Sequence, residues 1–353
     1  MLRPALAARR ACFLVALTAV GAWLAGCALP VVSAATPAPP AKLLAPAAPV
    51  MVGADQVTLL RSGPPTFAEL RALIDTARVS VHVEVYEFGH PLLVAAVEAA
   101  QRRGVAVTVI DDPSELASAA TALRLRSEGV DVVDYPVRKL MIDHVKLLVV
   151  DDTVAVIGGI NWGVKSPANH DYDAEVRGPV VANLDRVFLR DLATCGRSVA
   201  VPPPLPDPGI LVAATLPAAE IRPLVLDVVG AARTSLRLEL FVITDTSVVR
   251  ALITAHLRGV DVEVLLDPSQ PSSEPSIVAL RTGGVDVRIY RSGGELLHAK
   301  AIVADESRVL FGSANWSGGG FARNHELDIE LPQAPAVAQA MLAQMALDWA
   351  ASG

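Results

Sequence analysis

The body of this chain nearly lacks cysteine. Cys12 and Cys27 belong to the N-terminal apolar run and its end, and only Cys195 lies beyond them. A disulfide within the body is therefore excluded. Cys195 reads as a small residue near the end of a helix. Basic charge is also short. The whole chain carries −7, and the first 26 residues hold Arg3, Arg9 and Arg10 and no acid, so the remainder stands at −10, 27 basic residues against 37 acidic. That balance argues against a dedicated nucleic-acid binder, although a local basic cleft fits within a negative total. Long apolar runs are missing too. The uncharged stretch 11–25 is too short for a comfortable transmembrane helix.

Residues 1–26 instead have the charged start and apolar middle of a secretory signal, closing on Leu24-Ala25-Gly26-Cys27. That tetrapeptide resembles the bacterial lipobox, which implies cleavage before Cys27, lipidation of Cys27 and an extracytoplasmic protein anchored to a membrane of the cell envelope. The alternative is an ordinary signal or anchor in which Cys27 is incidental. Residues 27–54 are rich in Ala and Pro and read as an extended tether.

The chain from residue 55 onward is abundant in Val and Leu and has room for two domains. Thr66-Phe-Ala-Glu69 reads as a capping box opening a helix to about Asp75. Residues 79–86 alternate as a strand, and 91–102 read as a helix. Residues 105–110 read as a buried strand, Asp112-Pro113 as a helix start and 130–135 as a further strand. The order then repeats: 231–242 answers 76–88, 257–268 answers 102–113 and 283–290 answers 128–135, each with an offset of 155 residues. Two similar halves, 55–200 and 210–353, joined by a Pro-rich linker at 201–209 and closed by a helix at about 335–350, account for this. The expected fold is α/β: two α-β-α halves, each a mostly parallel or mixed sheet flanked by helices, packed about a pseudo-twofold axis.

Within the repeat one pattern is strict. His144-Val-Lys146 is followed by Asp151 and Gly158-Gly159-Ile160-Asn161; His298-Ala-Lys300 by Asp305 and Gly312-Ser313-Ala314-Asn315, at identical spacings. Polar triplets come next, Asn169-His170-Asp171 and Asn324-His325-Glu326. Each His and Lys stand two apart on a strand and share a face. Packed through those faces, the halves would converge two imidazoles and two ammonium groups on one spot, a site suited to a phosphodiester. Imidazole serves as nucleophile or acid near neutral pH, and the lysines neutralise the non-bridging oxygens. Asn161 and Asn315 add neutral donors and Ser313 a hydroxyl, so the chemistry calls for no metal and no cofactor. Asp151 and Asp305 read as structural, ending a strand and shaping the turn.

This doubled HxKxxxxD pattern resembles the phospholipase D superfamily across nearly all of the body. The resemblance implies that the triplet acids orient the histidines, Glu326 for His298 and Asp171 for His144, with Asp173 in reserve. It implies a covalent phosphohistidine on His144 with His298 as acid, or the reverse order. The membrane tether and the acidic body make a phospholipid head group and a membrane surface the first expected partners, with nucleic acid second. Gly159 stands where many members have Ser. Gly-Gly in the first copy, Gly-Ser in the second, and 176–181 leading into a helix with Phe188 resemble cardiolipin synthases. So does the opening 59–70. Asn315-Trp-Ser and Asn324-His-Glu resemble the nuclease-like branch. Three functions stay open: a phospholipid hydrolase or transphosphatidylase, a nuclease or other phosphodiesterase, and a non-catalytic envelope binding protein. His170 and His325 are either exposed loop residues or pocket lining. His82, Glu84 and Tyr86 form a strand face turned to the cleft or to solvent, and Trp162 and Trp316 wall the pocket or pack in the core.

Overall fold

The computed structural model describes residues 48–60, 62–206, 209–291 and 293–353. The expected signal segment, Cys27 and most of the expected tether lie outside them. Among the described residues no helix is long and apolar enough to cross a membrane.

The first half runs β1 (Val50–Val52), β2 (Asp55–Leu60), α1 (Pro64–Thr76), β3 (Ser80–Val85), α2 (Pro91–Arg102), β4 (Ala106–Asp111), α3 (Leu116–Ser127), β5 (Asp131–Asp134), β6 (Lys146–Val150), β7 (Val154–Gly158), β8 (Asn169–His170), β9 (Asp173–Arg177) and α4 (Val180–Thr194). The second runs β10 (Leu211–Ala214), α5 (Ile221–Ala231), β11 (Ser235–Leu240), α6 (Thr246–Leu257), β12 (Asp261–Leu266), α7 (Glu274–Thr282), β13 (Asp286–Ile289), β14 (Leu296–Leu297), β15 (Lys300–Ala304), β16 (Arg308–Gly312), α8 (Gly318–Ala322), β17 (Leu327–Leu331) and α9 (Pro335–Ala351).

Each half builds one mixed sheet, ordered β1-β2-β9-β7-β6-β3-β4-β5 and β10-β17-β16-β15-β11-β12-β13. Within these two sheets parallel pairing is confined to β3-β4-β5 and β11-β12-β13. There a helix returns the chain between strands. The remaining neighbours are antiparallel, and of these β1-β2, β6-β7 and β15-β16 are joined by short turns. Two turns depend on the motif aspartates. Asp151, at φ 52°, accepts hydrogen bonds from the backbone N–H groups of Arg78, Val79 and Ser80. Asp305, at φ 50°, does the same for Arg233, Thr234 and Ser235.

Alternation in β3 separates two environments. Val81, Val83 and Val85 enter an outer core under α1–α3. His82 turns the other way and stacks on Phe188 of α4, ring centroids 4.5 Å apart. Leu236, Leu238 and Leu240 of β11 feed the matching outer core of the second half. A third core lies between the sheets and belongs to both halves. It joins Leu147, Ile157 and Ala174 to Ala301, Phe311 and Ile329, with Phe188 of α4 and Met341 of α9. Trp162 and Trp316 are buried in the outer cores, which settles them as packing residues.

Three local expectations differ from the structure. α1 starts at Pro64 behind Gly63 and makes no side-chain cap. Two prolines preset the first turn, and Thr66 lies inside the helix. α3 starts at Leu116, with Glu115 accepting from the Ser118 N–H, later than Asp112-Pro113. Asp112 instead holds the Ser114 N–H in a turn. β1 falls within the stretch expected to be tether and pairs with β2.

Candidate active site

The two HxK segments meet through an exchange of short extended pieces. Leu296 and Leu297 pair in parallel with Asn169 and His170. The His298 N–H donates to the His170 carbonyl at 2.8 Å. In the other direction Asp143 pairs with His325, and the His144 N–H donates to the His325 carbonyl at 2.7 Å. Each half thus lays its polar triplet beside the HxK of the other.

This register decides which acid faces which imidazole. His144 Nδ1 lies 2.8 Å from Glu326 Oε2. His298 Nδ1 lies 3.0 Å from Asp171 Oδ2. The pairing expected within each half is corrected: the acids cross. With His170 fixed beside Leu297, the next residue along, Asp171, falls opposite the next residue there, His298. His325 and Asp143 place Glu326 against His144 in the same way. Asp173 is elsewhere, accepting from the Ile160 N–H.

All six groups are buried: His144 5%, Lys146 3%, Asp171 1%, His298 6%, Lys300 2% and Glu326 0% exposed. Burial first, then Lys146 and Lys300, drive His144 well below the ordinary histidine pKa. Burial also lowers His298, while ionised Asp171 pulls it back up. Asp171 is opposed by burial but ends below the usual carboxylate range, held there by His298 and Lys300. Burial raises Glu326 to about 7 despite Lys146 and the Ser313 hydroxyl. Lys146 comes down to about 7 and Lys300 to about 8, burial being the main cause for both. Nδ1 of each histidine is engaged by a carboxylate, which directs Nε2 to the reacting group.

The secondary candidates divide. Asn161 is buried, with Oδ1 unpartnered. Asn315 is half-buried and its Oδ1 is likewise unpartnered. Ser313 Oγ donates to Glu326 Oε2 at 2.7 Å and accepts from the Leu327 N–H at 3.0 Å, so its hydroxyl orients the acid and is not a donor to substrate. Gly159 occupies the matching place. A Cβ there would lie 2.5 Å from Asp171 Oδ1, so only glycine leaves room for that carboxylate. Asp151 and Asp305 stand at the β6–β7 and β15–β16 turns, away from the imidazoles.

His170 and His325 are buried, 3% and 0% exposed, and are neither loop-surface nor pocket-lining residues. His325 Nε2 contacts Asp191 at 2.8 Å and stacks on Tyr135. His170 Nε2 contacts Glu239 at 3.0 Å and Asp348 at 3.4 Å. These contacts tie each triplet into the opposite half. Glu84 takes part, 3.7 Å from His325, and Glu84 and Glu239 are both buried, so these two carboxylates turn neither to the cleft nor to solvent, whereas Tyr86 of the same face reaches His144. Groups with donor atoms within 4.8 Å of one another, which a metal ion would find, occur at Glu84, Asp143 and His325, at His170, Glu239 and Asp348, and at His82, Asp152 and Asp185.

Tyr86, on the strand face expected to turn to the cleft or to solvent, reaches the site, and two further residues there, Phe241 and Glu87, escaped the sequence reading. The Tyr86 ring meets His144 edge-on at 5.0 Å with Lys146 Nζ 5.5 Å above it. Phe241 does the same for His298 and Lys300, at 5.0 Å and 5.3 Å. Glu87, half-buried, hydrogen-bonds the side chains of Asn161 and Ser166. The 155-residue offset matches Tyr86 with Phe241, a signal already present in the repeat.

Comparison with known proteins agrees with this geometry. A family profile described as "Cardiolipin synthase, PLD-like domain" matches residues 70–192 and again 225–349. Cardiolipin synthase A of Pseudomonas putida (strain GB-1) is 30% identical over 310 residues, 78% of this chain and 64% of that protein. Cardiolipin synthase of Geobacillus kaustophilus is 28% identical over 317 residues, 78% of this chain and 62% of that one. The chain thus spans somewhat less than two thirds of these relatives' length. The crystal structure of phosphatidylserine synthase from Haemophilus influenzae Rd KW20 superposes with a TM-score of 0.62 at 16% identity, covering 84% of this chain and 85% of that one, a likeness of fold.

Proposed function

Because the chain belongs to the cardiolipin synthase-like part of the phospholipase D superfamily, we propose that it cleaves or exchanges the phosphodiester of a phospholipid head group through a covalent phosphohistidine. The observation that supports this most is the crossed pair, His144 with Glu326 and His298 with Asp171, beside Lys146 and Lys300. Two imidazoles of one site are held in different protonation tendencies, which an attack and a proton donation require. On this reading His144, the more strongly depressed, is neutral and attacks phosphorus through Nε2. The bond to the leaving alcohol breaks, and His298, beside ionised Asp171, gives that oxygen a proton. Water or a second alcohol then loses a proton to His298 and attacks the phosphohistidine. The P–N bond breaks and its electron pair returns to His144. Lys146 and Lys300 balance the non-bridging oxygens throughout.

The experiment is turnover by the full chain of mixed phospholipid micelles containing a small alcohol, with chelator present, read by mass spectrometry. Phosphatidic acid or a phosphatidyl-alcohol is expected from the parent protein and from neither His144→Ala nor His298→Ala. Turnover of DNA with none of any phospholipid would overturn the substrate assignment. On the same reading the protein sits at the outer face of a membrane, anchored through Cys27. Loss of fatty-acid incorporation in Cys27→Ser tests that part.

A further inference from the structure

One buried group of side chains takes no part in the chemistry at the histidines. Glu84 of β3, Asp143 before His144 and His325 before Glu326 each bring a ligand atom to within 4.8 Å of the other two. All three residues are 0% exposed. Among the described residues neither oxygen of Glu84 has a hydrogen-bond partner, nor has Asp143 Oδ2 or His325 Nδ1. His325 Nε2 lies 2.8 Å from Asp191 and 3.7 Å from Glu84. The cations nearby are committed elsewhere. Arg190 engages Asp191 at 3.1 Å through two nitrogens, and the Lys146 ammonium donates to the His144 carbonyl. Burial first, then Asp191 and Asp143, push Glu84 well above the usual carboxylate range, and burial, Asp191 and Asp112 do the same to Asp143. Protonation alone does not satisfy the group, because a neutral Glu84 carboxyl would carry an O–H without an acceptor. Buried carboxylates gathered in this way are satisfied by a metal ion.

The second half builds the matching place without that need. Glu239 stands in register with Glu84, and His170 takes the part of His325. Glu239 Oε2 accepts from the Tyr172 hydroxyl at 2.8 Å and lies 3.0 Å from His170 Nε2. Asp348 accepts from the Gln344 amide at 2.9 Å and lies 3.4 Å from the same nitrogen. Against the effect of burial, Glu239 and Asp348 raise His170 to about 9, so an imidazolium sits between its two acids. The residue in register with Asp143 is Leu297. The first half therefore carries one buried acid that its copy lacks, and a Glu84 to which nothing donates.

We propose that Glu84, Asp143 and His325 bind a divalent metal ion, Zn²⁺, with Asp191 as the fourth donor. One imidazole among carboxylate oxygens is a ligand set that suits this ion. Bonds of about 2.0–2.2 Å place such donors roughly 3.3–4.3 Å apart, so the side chains need close by only about 1 Å or less. The ion is structural. It joins the residue before His144 to the residue before Glu326, and so fixes the register that sets this acid against this imidazole. The phosphoryl chemistry still runs on the histidines and lysines.

The test measures the metal content of the full chain, expressed in medium supplemented with Zn²⁺ and dialysed against a weak chelator. About one zinc per chain is expected from the parent. The same is expected from Asp152→Asn, which breaks the more exposed group of His82, Asp152 and Asp185. Glu84→Gln and Asp143→Leu, the second copying the other half, should each lower the content about tenfold or more. Added Zn²⁺ should raise the unfolding temperature of the parent by about 5 °C or more and leave those two variants unmoved. Should neither variant fold, X-ray absorption at the zinc edge of the parent takes their place, with one imidazole and otherwise oxygen donors expected. A zinc-free parent, or a zinc shell with no imidazole or with several, overturns the proposal. So does zinc that survives both substitutions or leaves with Asp152→Asn, which would mark an adventitious ion only. Metal content is read without substrate, so the result stands whichever phosphodiester the histidines act on.

Discussion

The two half-sites solve the same problem with different groups. His298 is held by Asp171, a short carboxylate that needs Gly159 to make room. His144 is held by Glu326, a longer one steadied by Ser313 Oγ at 2.7 Å and Asn324 Nδ2 at 3.0 Å. Asp171 remains ionised; Glu326 titrates at about 7. A duplicated fold has therefore become two unlike environments for one side-chain type. What looks in the sequence like a lost serine at position 159 is the space that the acid of one half-site occupies.

The largest effect expected is loss of either imidazole, on the order of 10⁴-fold or more in kcat. The two should differ in kind. With an activated leaving group that needs no acid, His298→Ala should still accumulate phosphohistidine at His144, seen by intact-protein mass at alkaline quench, and His144→Ala should not. Phosphate trapped on His298 instead would reverse the roles. Next come the acids. Asp171→Asn should lower kcat by about 10²–10⁴-fold, because it leaves the cation at His298 unsupported. Glu326→Gln should cost less. The parent profile of kcat against pH should be a narrow bell, rising near 7 as Glu326 ionises and falling between about 7 and 8 as Lys146 and then Lys300 lose their protons. Glu326→Gln should erase the acid limb and keep the alkaline one.

Exchanging the small residues sharpens the contrast. Gly159→Ser should displace Asp171 and cost about tenfold or more in kcat, since its Cβ meets the carboxylate at 2.5 Å. Ser313→Ala removes a donor that lowers the Glu326 pKa, so the acid limb should move to higher pH with a smaller fall at its plateau. The smallest effects belong to the turn aspartates. Partial burial opposes their ionisation, but three backbone donors each keep Asp151 and Asp305 below the usual carboxylate range. Their contribution is therefore full above the unfolded pKa and fades as pH falls through the folded one. Asp151→Asn and Asp305→Asn should each cost about 1 kcal/mol in thermal unfolding at neutral pH, with kcat held.

Much of this architecture is legible in the sequence, for local reasons. Strict alternation marks β3, paired prolines and punctuating glycines bracket helices, and the repeat offset announces two halves. The HxK spacing alone places four of the buried groups. The crossing of Asp171 and Glu326 is not legible, because it comes from pairing between β8 and β14 and between Asp143 and His325, contacts some 130–180 residues apart in sequence. Thr66 and Glu69 match a capping pattern, yet the two prolines upstream start the helix first. His170 and His325 stand in polar triplets that read as exposed loop or pocket lining; only the buried carboxylates of the opposite half make the interior accessible to them.

Because the acids cross, each imidazole borrows its partner from over the seam, and neither half holds a complete constellation of its own. Cutting the chain in its proline-rich stretch, at 202–206, and expressing the pieces separately should give two inert polypeptides. Mixed, they would regain turnover only to the extent that they find one another, in proportion to the product of their concentrations at high dilution. Catalysis here is a coincidence detector, reporting the presence of both halves at once.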